Sequence, residues 1–218
     1  MNMNEYTNKD LIKHLEENTG VLTPEIKKAL TLIDRKDFIE KDYFPEAYND
    51  YPLPIGYGQT ISQPTIVTLM LSLLKLKKGD RVLDVGCGSG WTTVILGFLV
   101  GREGEVIAID IIDEFVELTR NRASAYHEKA QNIAVFHSSE KAVYSDKFDK
   151  ILVNASFSKE SDIPNEMKES LKEGGRMVAP VGNDLVVFIK QDGKYKEEKR
   201  FTHLVSFVPY INDPMSNE

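Results

Sequence analysis

The chain has 218 residues, 41% of them hydrophobic and 28% charged, with a formal net charge of -7; this supports one substantial core and excludes global disorder. An acidic balance argues against a protein that coats phosphate backbones, which needs clustered Lys and Arg. The single cysteine, Cys87, excludes an internal disulfide, no apolar run approaches the roughly 18 residues of a membrane span, and MNMNEYTNKD lacks a signal-peptide core, so a cytoplasmic protein with no nucleic-acid or membrane partner is expected.

The first third reads as helical. Leu11, Ile12 and Leu15 fall at helical spacing within Lys9 to Glu17, and Thr23-Pro24 is a cap with proline at the first helical position of a segment through Ile26, Leu30 and Ile33. From Asp37 to Tyr57, aromatics among prolines and acidic residues predict an ordered, irregular segment lining a surface or cleft. LPIGYGQTISQP, Leu53 to Pro64, reads as a particular kind of loop, and Pro64 opens an apolar helix that ends before Lys77. Within that loop Ser62 has two readings, a helix cap or a participant in chemistry.

From Arg81 short β-branched runs alternate with helical segments. RVLDV, EVIAI, IAVFH, KILVN, RMVAP and LVVFI are the predicted strands; Thr92 to Val100, Asp113 to Lys129 and Pro164 to Leu171 are the predicted helices. Such alternation predicts an α/β fold with a mostly parallel sheet covered on both faces. Asp192-Gly193 reads as a hairpin turn, adding an antiparallel edge. One domain is expected over 1–218, with helices and a loop over 1–78, a cofactor-binding core over 79–211 and a loose tail over 212–218.

The strongest chemical signal is LDVGCGSGWTT. Asp84 closes a strand, Gly86, Gly88 and Gly90 follow at every second position, and a helix starts near Trp91. Glycines here permit a tight turn and a close ligand approach. About twenty residues on, IAID places Asp110, with Ile111 beside it, where a carboxylate can accept from ribose hydroxyls. The four histidines show no metal-like spacing, and no metal is expected. Cys87 reads as a small filler, with no His placed to activate it.

The D-x-G-x-G-x-G form resembles the first motif of the Rossmann-like S-adenosylmethionine-dependent methyltransferases. With IGYGQTISQP upstream and LKEGGRMVAPVG and a late FVP downstream, the chain resembles the protein-L-isoaspartate (D-aspartate) O-methyltransferases from about Leu32 to Pro209. The resemblance implies that fold, S-adenosyl-L-methionine as cofactor, and methylation of the α-carboxylate of isoaspartyl residues in damaged proteins, which starts repair through a succinimide. It implies a catalytic role for Ser62, a cofactor wall from Thr60 and Ile61, cofactor-turn roles for Asp84, Gly86, Gly88 and Gly90, and a ribose contact for Asp110. Isoaspartyl peptides and proteins are the implied partners, and a monomer is expected.

The chain departs from the family in two places. Where the family has Gly-Asp-Gly bordering the adenine, this chain has Ser138, Ser139 and Glu140, leaving Ser139 and Glu140 as candidate adenine contacts. Where the family often has Thr-Ala-Ala-Ala-Pro after the fourth strand, this chain has Asn154-Ala155-Ser156-Phe157-Ser158. The alternative is therefore a related carboxyl methyltransferase acting on aspartate of a dedicated peptide or on a small-molecule acid.

Overall fold

The computed structural model describes residues 6–211; the expected tail over 212–218 lies outside them. Helix α1, Asn8–Thr19, starts at a reciprocal cap between Thr7 and Asp10 and stops at Gly20 in the left-handed region. Helix α2, Pro24–Leu32, is capped by the Thr23 side chain. Two short 3-10 turns, Arg35–Phe38 and Lys41–Glu46, carry the aromatic segment.

LPIGYGQTI is more regular than the expected loop. It forms a β-hairpin of β1, Leu53–Gly56, and β2, Gln59–Ile61. The two-residue turn has φ of 51° at Tyr57 and 70° at Gly58, the positive values that primed hairpin turns require. Helix α3, Pro64–Leu74, follows directly.

The core comprises β3 (Arg81–Val85), α4 (Trp91–Val100), β4 (Glu105–Asp110), α5 (Asp113–Ala125), β5 (Ile133–His137), β6 (Phe148–Val153), α6 (Asn165–Ser170), β7 (Leu171–Val181), β8 (Asp184–Gln191) and β9 (Lys194–Phe201). The seven strands pair in the order β5-β4-β3-β6-β7-β8-β9, parallel as far as β7 and antiparallel beyond it. Successive strand residues enter opposite cores. Val82, Leu152 and Val178 join the core built with α1 to α4, whereas Leu83, Ile151 and Met177 join the core of Phe157, Ile163 and Met167.

Several boundaries differ from expectation, two of them for a specific tertiary reason. α5 stops at Ala125 because the Tyr126 hydroxyl donates to Asp37 at 2.5 Å and its ring packs 5.5 Å from Phe38, pinning the chain away from the helical path. The helix expected to reach Leu171 ends one residue earlier, since Leu171 already pairs with Phe148 as the first residue of β7.

Chain order reverses at β3: β4 and β5 extend the sheet on one side, and β6 lies on the other. In open α/β sheets such a switch point opens a crevice beyond the carboxyl ends of the strands. The glycine turn after β3 and Asn154 after β6 flank that crevice, and the Asn154 N–H donates to Val85 O at 2.8 Å. Among the described residues no helix is long and apolar enough to cross a membrane.

Candidate active site

The glycine turn is knit to the strand beside it. The N–H groups of Gly86 and Cys87 donate to Ile109 O at 2.8 and 3.1 Å, and that of Gly90 to Cys87 O at 2.8 Å. Two glycines are needed for distinct reasons. Gly90 has φ of 82°, and a Cβ there would lie 3.0 Å from Thr119 Oγ1, itself a donor to Gly88 O. Gly88 has φ of 49°, and its Cβ would lie 3.2 Å from Ile55 Cδ1 of the hairpin, so its absence brings the hairpin against the turn.

Two carboxylates serve this turn from different depths. Asp110 accepts from Gly88 N–H at 2.8 Å and from Ile112 N–H at 3.1 Å, and burial raises its carboxyl above the usual range. Asp84 is fully buried below the turn, where Thr93 Oγ1 donates to it at 2.6 Å and Asn154 Nδ2 at 2.8 Å. Burial pushes Asp84 up to about 6. Cys87 is buried as well, and burial pushes its thiol up, which disfavours the thiolate a nucleophile needs.

The structure answers the capping question at Ser62. The N-cap of α3 is Gln63, which makes no side-chain capping bond. The orphan N–H of Thr65 is instead taken by Asp50 Oδ1 at 2.8 Å, while Asp50 Oδ2 accepts from Thr65 Oγ1 and Gln63 Nε2. A carboxylate from the aromatic segment thus caps the helix. Arg35 holds the other side: its buried guanidinium donates to Asn49 O at 2.9 Å and to Tyr51 O and Ser62 O, each at 3.1 Å. It also lies 5.4 Å from the centre of the Trp91 ring, at the start of α4. Burial brings the guanidinium down to about 10, so it remains charged at neutral pH. Ser62 O is thereby fixed and the Ser62 hydroxyl is left without a hydrogen bond among the described residues.

A cavity of about 660 Å3 lies between the turn and the hairpin. It brings together Thr60, Ile61, Ser62, Gly86, Gly88, Asp110, Ile111 and Ser139 from the sequence-derived set. Asp84, Gly90 and Glu140 lie outside its lining: Asp84 is beneath the turn, Gly90 packs on Thr119, and Glu140 turns back to accept from His137 N–H. Among the described residues, the charged members of the lining are Asp110 and Glu166, with no Lys or Arg. A second cavity of about 460 Å3, walled by Gln63 and the segment from His203 to Val208, meets the first at Thr60, Ser62, Asn154 and Val208.

Asn154, Tyr57, Arg35 and Asp50 were not singled out from sequence. Asn154 was legible only as a departure from a family motif, and Tyr57 only as one of several aromatics. Arg35 and Asp50 carry no local signal, because their partners lie 14 to 27 and 13 to 15 residues away.

The chain's relatives are found by sequence and by fold. The family model for protein-L-isoaspartate(D-aspartate) O-methyltransferase (PCMT) matches residues 6–214. A protein-L-isoaspartate O-methyltransferase of Fervidobacterium nodosum is 40% identical over 202 residues, covering 91% of this chain and 98% of its own. A second, from Archaeoglobus fulgidus, is 37% identical over 86% of this chain and 85% of its own. A Plasmodium falciparum PCMT structure in complex with S-adenosyl-L-homocysteine is similar in fold, with a TM-score of 0.76 and 24% identity over 93% of this chain and 97% of that one. The chain belongs to the protein-L-isoaspartate(D-aspartate) O-methyltransferase family.

Proposed function

We propose that this chain transfers a methyl group from S-adenosyl-L-methionine to the α-carboxylate of L-isoaspartyl and D-aspartyl residues in damaged proteins, the first step of repair through a succinimide. The observation that carries this reading is the Ser62 hydroxyl, unbonded within the fold and placed where the two cavities meet. The larger cavity fits the cofactor on its own terms. It approaches backbone at Gly86 and Gly88 and, among the described residues, presents an acidic lining with no Lys or Arg. That lining suits a ligand bearing an ammonium and a sulfonium and no phosphate, with Asp110 available to ribose hydroxyls. Thr60 and Ile61 line the same wall, Ile111 and Ser139 the far end, and Asp84 acts from beneath as a buried negative charge.

The cofactor supplies the methyl group on a positively charged sulfur. The rest falls to the chain. A substrate carboxylic acid with a pKa near 4 is already ionised at neutral pH, so no general base is required. Ser62 donates one neutral hydrogen bond to the carboxylate, orienting an oxygen without the tighter hold of an Arg or Lys. Alignment of this kind contributes up to roughly 7–11 kcal/mol to lowering the barrier. The second cavity, opening beside Ser62, receives the peptide flanking the acid. The chain acts as one methyltransferase domain, as a monomer in the cytoplasm.

Two synthetic peptides that differ only in isoaspartyl or aspartyl linkage, incubated with labelled cofactor, test the assignment. Label on the isoaspartyl peptide alone is expected. Equal labelling of both shifts the reading to a less selective carboxyl methyltransferase, and labelling of neither removes it.

A further inference from the structure

The turn between β8 and β9 carries the only Asp-Gly or Asn-Gly pair of the sequence, Asp192-Gly193. It links Gln191 to its strand partner Lys194, with φ of 54° at Asp192 and 69° at Gly193. The Asp192 side chain is 78% exposed. In such a pair the Gly193 nitrogen can attack Asp192 Cγ, because glycine puts no side chain in the way. The N–Cγ bond forms, the nitrogen gives up its proton and Cγ its hydroxyl, and water leaves as a succinimide closes. Water adding back at Cγ restores aspartate. Water adding at the main-chain carbonyl breaks that carbonyl's bond to nitrogen and leaves an isoaspartyl residue.

Two contacts hold the reacting groups apart. Glu173, on β7, takes both N–H groups of the turn: Oε1 accepts from Asp192 N–H at 2.6 Å and Oε2 from Gly193 N–H at 3.1 Å. The attacking nitrogen is thus tied through its proton to Glu173, while Asp192 Oδ2 lies on the other side, 3.7 Å from Lys196 Nζ. β8 runs back from Asp184, which pairs with Val181 at the carboxyl end of β7. The turn therefore lies at the amino ends of the parallel strands, away from the crevice at their carboxyl ends, and a chain cannot bring its own turn to its own Ser62. We propose that Asp192-Gly193 is a modification site of this protein, restrained by Glu173 and Lys196, whose isoaspartyl form is methylated by a second copy of the chain. The extra main-chain carbon of an isoaspartyl residue breaks the geometry of a two-residue turn and releases its tip from Glu173 as a flexible peptide. The methylation step rests on the function proposed above; the restrained isomerisation stands without it.

Warm storage of the full chain at neutral pH, followed by chromatographic separation of the aspartyl and isoaspartyl forms of the peptide carrying Asp192, tests the restraint. The folded chain is expected to isomerise about tenfold or more slowly than the chain in urea, and Glu173→Ala with Lys196→Ala to lose most of that difference while folded. Equal rates in folded and unfolded chain overturn the proposal, as does a double variant that isomerises no faster. Slower isomerisation in the double variant would make Glu173 a base rather than a restraint and overturns it too. Aged Ser62→Ala chain is then given labelled cofactor and a small amount of fresh unaltered chain. Label is expected in the peptide carrying Asp192, at an initial rate proportional to the concentration of fresh chain. Adding Asp192→Ser, which cannot close the succinimide, should abolish label there, and label that persists overturns the assignment to Asp192. Fresh chain that labels a synthetic isoaspartyl peptide of the same sequence but not the aged chain defeats this proposal alone. Label on neither defeats the proposed function itself.

Discussion

The two walls of the larger cavity are stabilised in opposite ways. The glycine turn is a local device: three glycines, the preceding strand and the Asp110 carboxylate, all between Arg81 and Asp110, supply its backbone shape and most of its hydrogen bonds. The Ser62 wall is a remote device. Its hairpin shapes itself, but the serine is placed by Arg35 and the helix behind it is capped by Asp50, both from segments outside the nucleotide-binding core. The glycine turn and Ser62 are therefore held by different parts of the chain, although Arg35 touches both walls through Trp91.

The largest expected effect falls on the joint between the walls. Arg35→Met removes a buried charged donor from three part-buried backbone carbonyls, which should cost about 3–5 kcal/mol of stability in urea denaturation. In protein that remains folded, turnover should fall much further than affinity for S-adenosyl-L-homocysteine, with Arg35→Lys recovering part of both stability and turnover. Parallel losses of turnover and affinity would show that the two walls act as one.

Next comes a pH effect on the turn. Asp84 sits at about 6 in the fold against an ordinary 3.8, because burial disfavours its charged form. Between those values the folded chain holds a proton that the unfolded chain has released. This contribution to stability is greatest at low pH and is lost as pH rises toward 6, by about 3 kcal/mol. Asp84→Asn should therefore gain on the unaltered chain between pH 4 and 7; parallel stability curves would refute the raised value.

Ser62→Ala should reduce turnover about a hundredfold, about 2.7 kcal/mol in barrier, while leaving S-adenosyl-L-homocysteine affinity within about threefold. Because Asp50 and not Ser62 caps α3, the melting temperature should hardly move. Unchanged turnover would return Ser62 to a structural position. The smallest effect belongs to Gly90→Ala, about 1–2 kcal/mol of stability from the left-handed backbone and the close Thr119 side chain. Here the expected pattern is reversed, with cofactor affinity falling and the turnover of the saturated enzyme largely kept.

The same contrast explains what could be read from the chain. The parallel strands followed from β-branched runs and the β8–β9 hairpin from Asp192-Gly193, features of neighbouring residues, whereas the antiparallel turn from β7 into β8 had no such reading. Leu53–Ile61 looks like a loop in sequence because Pro54 and two glycines are poor strand formers; a short two-stranded hairpin outside the main sheet tolerates them. Gly86, Gly88 and Asp110 were legible because the turn and the strand that support them are adjacent in sequence and in space. Asp84 carried the same sequence signal, yet lies below the cavity, since its side chain follows the pleat of β3 into the core.

By itself the sequence determined the order of strands and helices, the shape of the glycine turn and the family, because each depends on propensity or spacing over a few residues. Only the tertiary structure decided which group caps α3, which cation holds Ser62 and where the two cavities meet. Those outcomes depend on hydrogen-bond partners that the chain brings together only once the core has formed.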